Sequence, residues 1–207
     1  MLSKEDISAH AYKLGFVDIG FTTAEPFDSQ RELLESSRER YGWTEEKGLQ
    51  LINGTDPRHA LPEARSVIVI IEGYYQESFP PSLEGKFGRC YLNDDRITRD
   101  GLSVRVKDFI SFLREKGLQA RAASHLPQRL AAARAGLGTI GKNCLFYAGR
   151  AMRRSSWVLP ITIVVDAGLA PDEPSLKIDC PEWCRNTCVV GCPTRALTGP
   201  ARLDPRR

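Results

Sequence analysis

At 207 residues and 42% hydrophobic content, the chain has enough apolar side chain to bury one core with a small appendage, and it has neither the low hydrophobicity nor the high net charge of a disordered polypeptide. A formal charge of +3 is too small to argue for a nucleic-acid partner by itself. The first residues lack the charged-then-apolar layout of a signal peptide, and no apolar run approaches the roughly 18 residues that span a bilayer, so a soluble cytoplasmic protein with no membrane partner is expected.

Ser3-Lys4-Glu5-Asp6 has the form of a capping box, and Ile7, Ala11 and Leu14 then fall on one helical face before Gly15. A short strand is expected over residues 16–21 and a second helical stretch over residues 30–40. A polar connector over residues 53–61 follows, with the turn pairs Asn53-Gly54 and Asp56-Pro57. Ser66-Val67-Ile68-Val69-Ile70-Ile71 is an uninterrupted β-branched run, as in a strand buried on both faces, and belongs at the centre of a sheet. Residues 74–88 hold Tyr74, Tyr75, Phe79, Phe87 and the pair Pro80-Pro81, which reads as a long irregular loop of the kind that borders a site. Leu102, Val106, Phe109, Ile110 and Leu113 recur at helical spacing and predict an amphipathic helix over residues 102–116, stopped at Gly117. A strand over residues 118–122, an alanine-rich helix over 128–135 after Pro127, and an apolar run over 157–165 complete the alternation. The pattern predicts a layered α/β domain over residues 1–166 and a cysteine-bearing module over residues 167–207.

That module carries the strongest chemical signal. Cys180, Cys184, Cys188 and Cys192 are separated by three residues each, and Pro193 follows the last. The ending Cys-x-x-x-Cys-Pro is how bacterial-type iron–sulfur segments close, because a thiolate followed by a chain-redirecting proline lets a short loop wrap a compact cluster. A bacterial ferredoxin run has gaps of two, two and three residues, so the first two gaps here each hold one extra residue. A tetrathiolate zinc site is one alternative, although zinc motifs pair two close cysteines with two distant ones. Another is a helix between Pro181 and Pro193 that carries cysteines every fourth residue as small buried hydrophobes. In a reducing compartment, clustered cysteines are better explained by metal than by disulfides. Cys90 and Cys144 lie far away in sequence and read as buried small residues.

Gly136-Leu137-Gly138-Thr139-Ile140-Gly141-Lys142 satisfies Gly-x-Gly-x-x-Gly, but a dinucleotide fingerprint lies between a strand and the helix it opens, whereas these glycines end an alanine-rich helix. The segment is either a turn where backbone approaches a ligand closely or plain helix termination. His10 reads as a helix-surface residue and His59 as a loop residue. His125, near the glycine turn, is a candidate proton donor set against the simpler reading of a solvated side chain. Arg150, Arg153 and Arg154 form a small basic cluster, either a phosphate contact or a solvated loop.

Four blocks taken together resemble the epoxyqueuosine reductase family, which itself is similar to the corrinoid-binding parts of reductive dehalogenases. They are Asp56-Pro57 with Leu61-Pro62-Glu63-Ala64-Arg65-Ser66-Val67-Ile68-Val69, then Gly88-Arg89-Cys90-Tyr91, then Arg134-Ala135-Gly136-Leu137-Gly138-Thr139-Ile140-Gly141-Lys142-Asn143, then the cysteine segment. The resemblance implies an α/β fold, a layered nitroreductase-like and cobalamin-processing-like domain followed by a small ferredoxin-like segment. It also implies a 4Fe–4S cluster on Cys180, Cys184, Cys188 and Cys192, an electron donor of the ferredoxin or flavodoxin type, and a cobalamin near Tyr91, Gly136, Leu137, Gly138, Gly141, Lys142 and Asn143. The expected activity is that of an iron–sulfur oxidoreductase passing electrons to a bound corrinoid or a small-molecule substrate. The alternative is a non-catalytic electron-transfer or metal- and corrinoid-binding protein. Two differences stand out. The family has an acidic residue in an Asp-containing stretch ending Pro-Val-Leu-Glu-Arg before the glycine turn, where this chain reads Ala122-Ala123-Ser124-His125-Leu126-Pro127-Gln128-Arg129, which argues against tRNA as a partner. The family also continues into a second cysteine quartet about where Asp204-Pro205-Arg206-Arg207 ends this sequence; a further quartet beyond Arg207 would make the chain a piece of a two-cluster protein.

Overall fold

The computed structural model describes residues 2–74, 80–86, 101–149, 155–178, 180 and 183–207. Helix α1 (Lys4–Lys13) starts with the expected capping box: Asp6 N–H donates to the Ser3 hydroxyl at 3.1 Å while the Asp6 carboxylate accepts from Ser3 N–H at 3.2 Å. It closes in a Schellman turn, with Gly15 at φ 87, Gly15 N–H on Tyr12 O and Phe16 N–H on Ala11 O. Because that cap uses Phe16, strand β1 (Asp18–Thr23) begins two residues later than the sequence suggests. The helical stretch expected over residues 30–40 is broken into α2 (Asp28–Ser36), α3 (Arg38–Tyr41) and α4 (Trp43–Glu46). Ser37 leaves the helical region at φ −113, and only Leu34 of α2 is buried, so no apolar stripe carries the helix onward. The connector over 53–61 forms two single 3-10 turns, Asn53–Thr55 and Pro57–His59.

Strand β2 (Ser66–Gly73) holds the β-branched run, and its side chains from Val67 to Ile71 are fully buried. Helix α5 (Leu102–Glu115) and strand β3 (Ala120–Ala122) follow, then helix α6 (Gln128–Arg134), the hairpin β4 (Gly138–Ile140) and β5 (Phe146–Ala148), and strand β6 (Val158–Val165). The main sheet has the order β1-β2-β6-β3, with every neighbour antiparallel. Side-chain alternation along β2 explains why its run is unbroken. Val67, Val69 and Ile71 face a cluster with Phe27, Leu137, Phe146 and the alanines of α6, while Ile68 and Ile70 face Ile7, Phe109, Ile110 and Leu113 from α1 and α5. The sheet is thus the middle of three layers. Truncating a fully buried side chain such as Phe109 would cost about 3–5 kcal/mol. Pro160 is tolerated within β6 because β3 pairs only with residues 163–165, so no strand needs an N–H at that position. At the end of β2, Glu72 is buried and receives a two-pronged contact from Arg105, 2.6 Å from Nη2 and 3.1 Å from Nη1.

After β6 the chain runs back along the layered domain. Leu169 N–H donates to Ser66 Oγ, Asp172 accepts from Phe21 N–H and from Lys4, and Ser175 N–H meets Ala133 O. Ile178 then bridges to Ile140 of the hairpin. The cysteine segment that follows has one helical turn, α7 (Thr187–Val190), and a small hairpin of β7 (Leu197–Gly199) and β8 (Arg202–Leu203). A continuous helix bearing all four cysteines is therefore absent. No helix among the described residues is long and apolar enough to cross a membrane.

Candidate functional site

Two features lie on the side of the sheet covered by α6. The first is a cleft in two adjoining lobes of about 240 and 410 Å³ between residues 48–60 and residues 123–127. Its floor is apolar, with Leu34, Leu51, Ala123 and Leu126, and its rim carries Gln50, Asn53, Asp56, His59 and His125. The two walls touch through backbone. A Cβ at Gly54 would stand 3.0 Å from the His125 carbonyl carbon and closer still to its oxygen, so only glycine fits there. The Asp56 carboxylate caps its own turn by accepting from Arg58 N–H at 3.0 Å. Of the three histidines, His59 and His125 therefore meet at one cleft, whereas His10 is not a free surface residue. Its ring stacks on Phe112 at 3.8 Å between centroids, and partial burial together with Lys13 pushes its pKa down.

The second feature is the turn between β4 and β5, on which the cysteine segment docks. Gly136 ends α6 in another Schellman turn, at φ 71, with Gly136 N–H on Ala133 O and Leu137 N–H on Ala132 O. The spaces beside the glycines are taken by protein: a Cβ at Gly136 would meet Glu173 O at 2.5 Å, one at Gly138 the Tyr147 carbonyl, and one at Gly141 the Tyr147 ring at 2.6 Å. Leu137 is buried in the core. Asn143 donates to Tyr147 Oη at 2.9 Å and accepts from Leu145 N–H. Lys142 faces the cysteine segment: its N–H donates to Cys180 Sγ at 3.4 Å, its Nζ to Asn186 Oδ1 at 2.8 Å, and its carbonyl accepts from Ala201 N–H. Tyr41 closes the same side by donating to Leu203 O at 2.7 Å. Tyr91, Cys90 and the cluster of Arg150, Arg153 and Arg154 lie outside the described residues.

Cys144, in the same turn, is half-buried in a left-handed backbone at φ 63, and Arg129 Nη1 donates to its carbonyl at 3.0 Å. Burial pushes the Cys144 thiol up, the Arg129 guanidinium opposes the shift, and a thiolate at Cys188 adds to it. This neighbour across the fold was invisible in sequence, where 44 positions separate the two. The signal available was only that Cys144 follows the glycine motif.

Cys180, Cys184, Cys188 and Cys192 are all free and half-exposed. Among the described residues, no three Cys, His, Asp or Glu side chains converge to hold a metal ion. Their chemistry nevertheless suits an iron–sulfur cluster. Every donor is a thiol, Lys142 N–H points at Cys180 Sγ, and the Cys192 thiol is held down by the N–H of Leu197, then by the Thr194 hydroxyl and the neighbouring N–H groups. The segment is also lightly packed, with Trp183 and Val190 each about four-fifths exposed, so closure around a metal has little packing to undo.

No family model matches the chain. Among curated proteins it is 31% identical over 220 residues to the epoxyqueuosine reductase of Staphylococcus aureus, an alignment covering 99% of this chain and 54% of that protein. A solved epoxyqueuosine reductase, in complex with an epoxyqueuosine-modified tRNA-Tyr stem loop, superposes with a TM-score of 0.75 at 25% identity, covering 99% of this chain and 55% of the other. A reductive dehalogenase described with a mechanism for B12-dependent dehalogenation has the same fold, with a TM-score of 0.52 at 17% identity over 90% of this chain and 22% of its own. The chain thus spans about half the length of the curated relatives that it matches.

Proposed function

Because the chain is related along its whole length to the epoxyqueuosine reductases, we propose that it is an iron–sulfur reductase of that type, with Cys180, Cys184, Cys188 and Cys192 as cluster thiolates and the cleft beside His125 as the substrate pocket. The observation that carries the reading is the docking of the cysteine segment on the β4–β5 turn through Lys142, which sets the thiols beside the domain whose relatives perform the reduction. When bound, an iron–sulfur cluster supplies single electrons, and a corrinoid of the kind used by the dehalogenase of this fold supplies the reducing metal.

The chain's own residues do the rest. Lys142 N–H donates to Cys180 Sγ, and Lys142 Nζ ties the turn to Asn186. Gly54 and the His125 carbonyl hold the cleft walls together, and Leu34, Leu51 and Leu126 exclude water from its floor. His125 stands in the stretch where the family's acidic residue is missing from this chain, and we assign it the proton donated to the reduced substrate. The electron donor is a ferredoxin or flavodoxin type of protein, and the substrate is a small molecule; epoxyqueuosine in tRNA, the ligand of the solved relative, is the less favoured choice, since residues 122–129 carry no carboxylate.

The reading is tested by anaerobic reconstitution with ferrous iron and sulfide, followed by titration with cobalamin. It expects stoichiometric iron and sulfide, the broad visible absorption of a cluster, and saturable cobalamin binding. Protein that takes up neither iron nor sulfide contradicts it. A second reading, a non-catalytic electron carrier, is favoured by the protein atoms that fill the space around Gly136, Gly138 and Gly141. It predicts a normal cluster without cobalamin binding.

A further inference from the structure

We propose that Asp172 is a positioning residue: it anchors residues 172–178 as a strap along the layered domain, and the strap sets where the cysteine segment begins, so that Lys142 N–H meets Cys180 Sγ. The consequence for the thiols rests on the iron–sulfur reading above; the geometry of the strap does not.

The sequence of the strap makes it stiff. In Pro171-Asp172-Glu173-Pro174 the two rings fix φ at their own positions and drive the residues before them, Ala170 and Glu173, toward extended backbone. Packing contributes little, since Glu173, Leu176 and Ile178 are exposed, so a few polar contacts hold the strap in place. The strongest of them converge on Asp172. Its N–H donates to Phe21 O at 2.9 Å and its carboxylate accepts from Phe21 N–H at 2.8 Å, which closes the outer edge of β1 as a further strand residue would. Lys4 Nζ pairs with the other carboxylate oxygen at 2.5 Å, donates to Ala170 O at 2.9 Å and stands over the Phe21 ring, 4.7 Å from its centroid.

From that anchor the contacts recur at short intervals. Glu173 O lies 2.5 Å from where a Cβ at Gly136 would stand, so the first glycine of the Gly-x-Gly-x-x-Gly motif lets the strap cross the end of α6. Ser175 N–H then donates to Ala133 O at 2.8 Å, Ile178 bridges to Ile140, and Cys180 Sγ accepts from Lys142 N–H at 3.4 Å. Between residues 172, 175, 178 and 180 no gap exceeds three residues, a span of at most about 11 Å, which leaves the chain little slack. A displacement at Asp172 is therefore passed along to Cys180. An N–H aimed at a cluster sulfur stabilises the added negative charge of the reduced cluster, so weakening that bond makes the potential more negative.

The test compares the full chain as wild type, Asp172→Ala, Asp172→Asn and Lys4→Met, reduced and anaerobic, before and after reconstitution with ferrous iron and sulfide, with circular dichroism as the check on folding. Asp172→Ala is expected to exchange the strap amides of residues 173–178 about 10- to 100-fold faster, as the loss of one hydrogen bond to a charged group implies, and to carry a cluster of more negative potential. Asp172→Asn keeps an oxygen that accepts from Phe21 N–H and should recover most of both changes. Lys4→Met leaves that bond in place and should show smaller changes in the same direction, which decides the matter if Asp172→Ala does not fold. Wild-type exchange in Asp172→Ala overturns the anchor. Faster exchange with a wild-type potential, or a lowered potential that Asp172→Asn does not restore, overturns the positioning role and leaves the iron–sulfur reading intact. A wild type that assembles no cluster overturns that reading and the role with it, while the exchange rates still decide whether Asp172 anchors the strap.

Discussion

Replacing Gly54 by alanine probes the cleft directly, because the new methyl group meets backbone, which cannot rotate away. The Cβ would stand 3.0 Å from the His125 carbonyl carbon and nearer to its oxygen, whereas carbon and oxygen in ordinary contact are roughly 3.3 Å apart, so the walls must open by on the order of 1 Å. Overpacking of this kind costs about 1–3 kcal/mol, and the lower backbone entropy of the unfolded alanine chain returns about 0.4–1 kcal/mol. The net loss is about 1–2 kcal/mol, or a fall in Tm of about 2–8 °C for a domain of this size. Gly199→Ala is the control, since its Cβ finds only Arg202 Cδ at 3.8 Å. Its effect should stay within about 0.5 kcal/mol. Guanidinium unfolding measures the stability change, and the imidazole resonances of His59 and His125 report whether the walls have moved. Gly54→Ala with wild-type stability and an unshifted His125 resonance would show that the two walls are not held in this contact.

Three further outcomes follow from contacts elsewhere. Arg105→Ala strands the buried Glu72 carboxylate and should cost about 3–5 kcal/mol in thermal or denaturant unfolding, with the double variant Arg105→Ala/Glu72→Ala recovering part of the loss. The Ser3 hydroxyl and backbone N–H hold the Asp6 carboxyl below its ordinary value of 3.8; a depressed folded pKa gives stability that is complete above the unfolded value and is lost as pH falls through the folded one. Amide exchange in α1 should therefore accelerate below about pH 4, and Asp6→Asn should abolish that pH dependence. Tyr41→Phe removes the bond to Leu203 O, worth about 0.5–1.5 kcal/mol, and should speed exchange over residues 201–204 without changing the global unfolding midpoint.

The parts of the fold that were legible in sequence are those fixed by local chemistry. The capping box at Ser3 and Asp6, the apolar stripe from Leu102 to Leu113, and the β-branched run of β2 each announce themselves, since every one is decided by neighbours within a few positions or by burial on both faces. The break at Ser37 was not legible, because the helical propensity of residues 30–40 says nothing about how little of α2 finds a surface to cover. The glycine motif was half legible. Its role in ending α6 follows from Gly136, but the hairpin it opens and the Tyr147 and Glu173 atoms that crowd it depend on contacts across the fold.

The site divides along the same line. The expectation of metal chemistry rests on the types and spacing of the four cysteines and the following proline, whereas the meeting of His59, Asp56 and His125 at one cleft and of Lys142 with the cysteine segment depends on chain reversals far apart in sequence. His10 shows the opposite: its place on the face of α1 suggests a surface residue, and α5 covers it through Phe112.

The central claim, that residues 180–207 form a module organised by metal, is tested most directly by amide exchange on reduced protein with and without reconstituted cluster. Trp183 and Val190 lie exposed in the segment, and ordering its backbone costs roughly 1–2 kcal/mol per residue, more than such packing repays. The account predicts fast exchange over residues 180–197 in the metal-free protein, strong protection after reconstitution, and unchanged protection in β2 and β6. Strong protection over residues 180–197 in metal-free, reduced protein would show that the segment folds by packing alone and would contradict the claim.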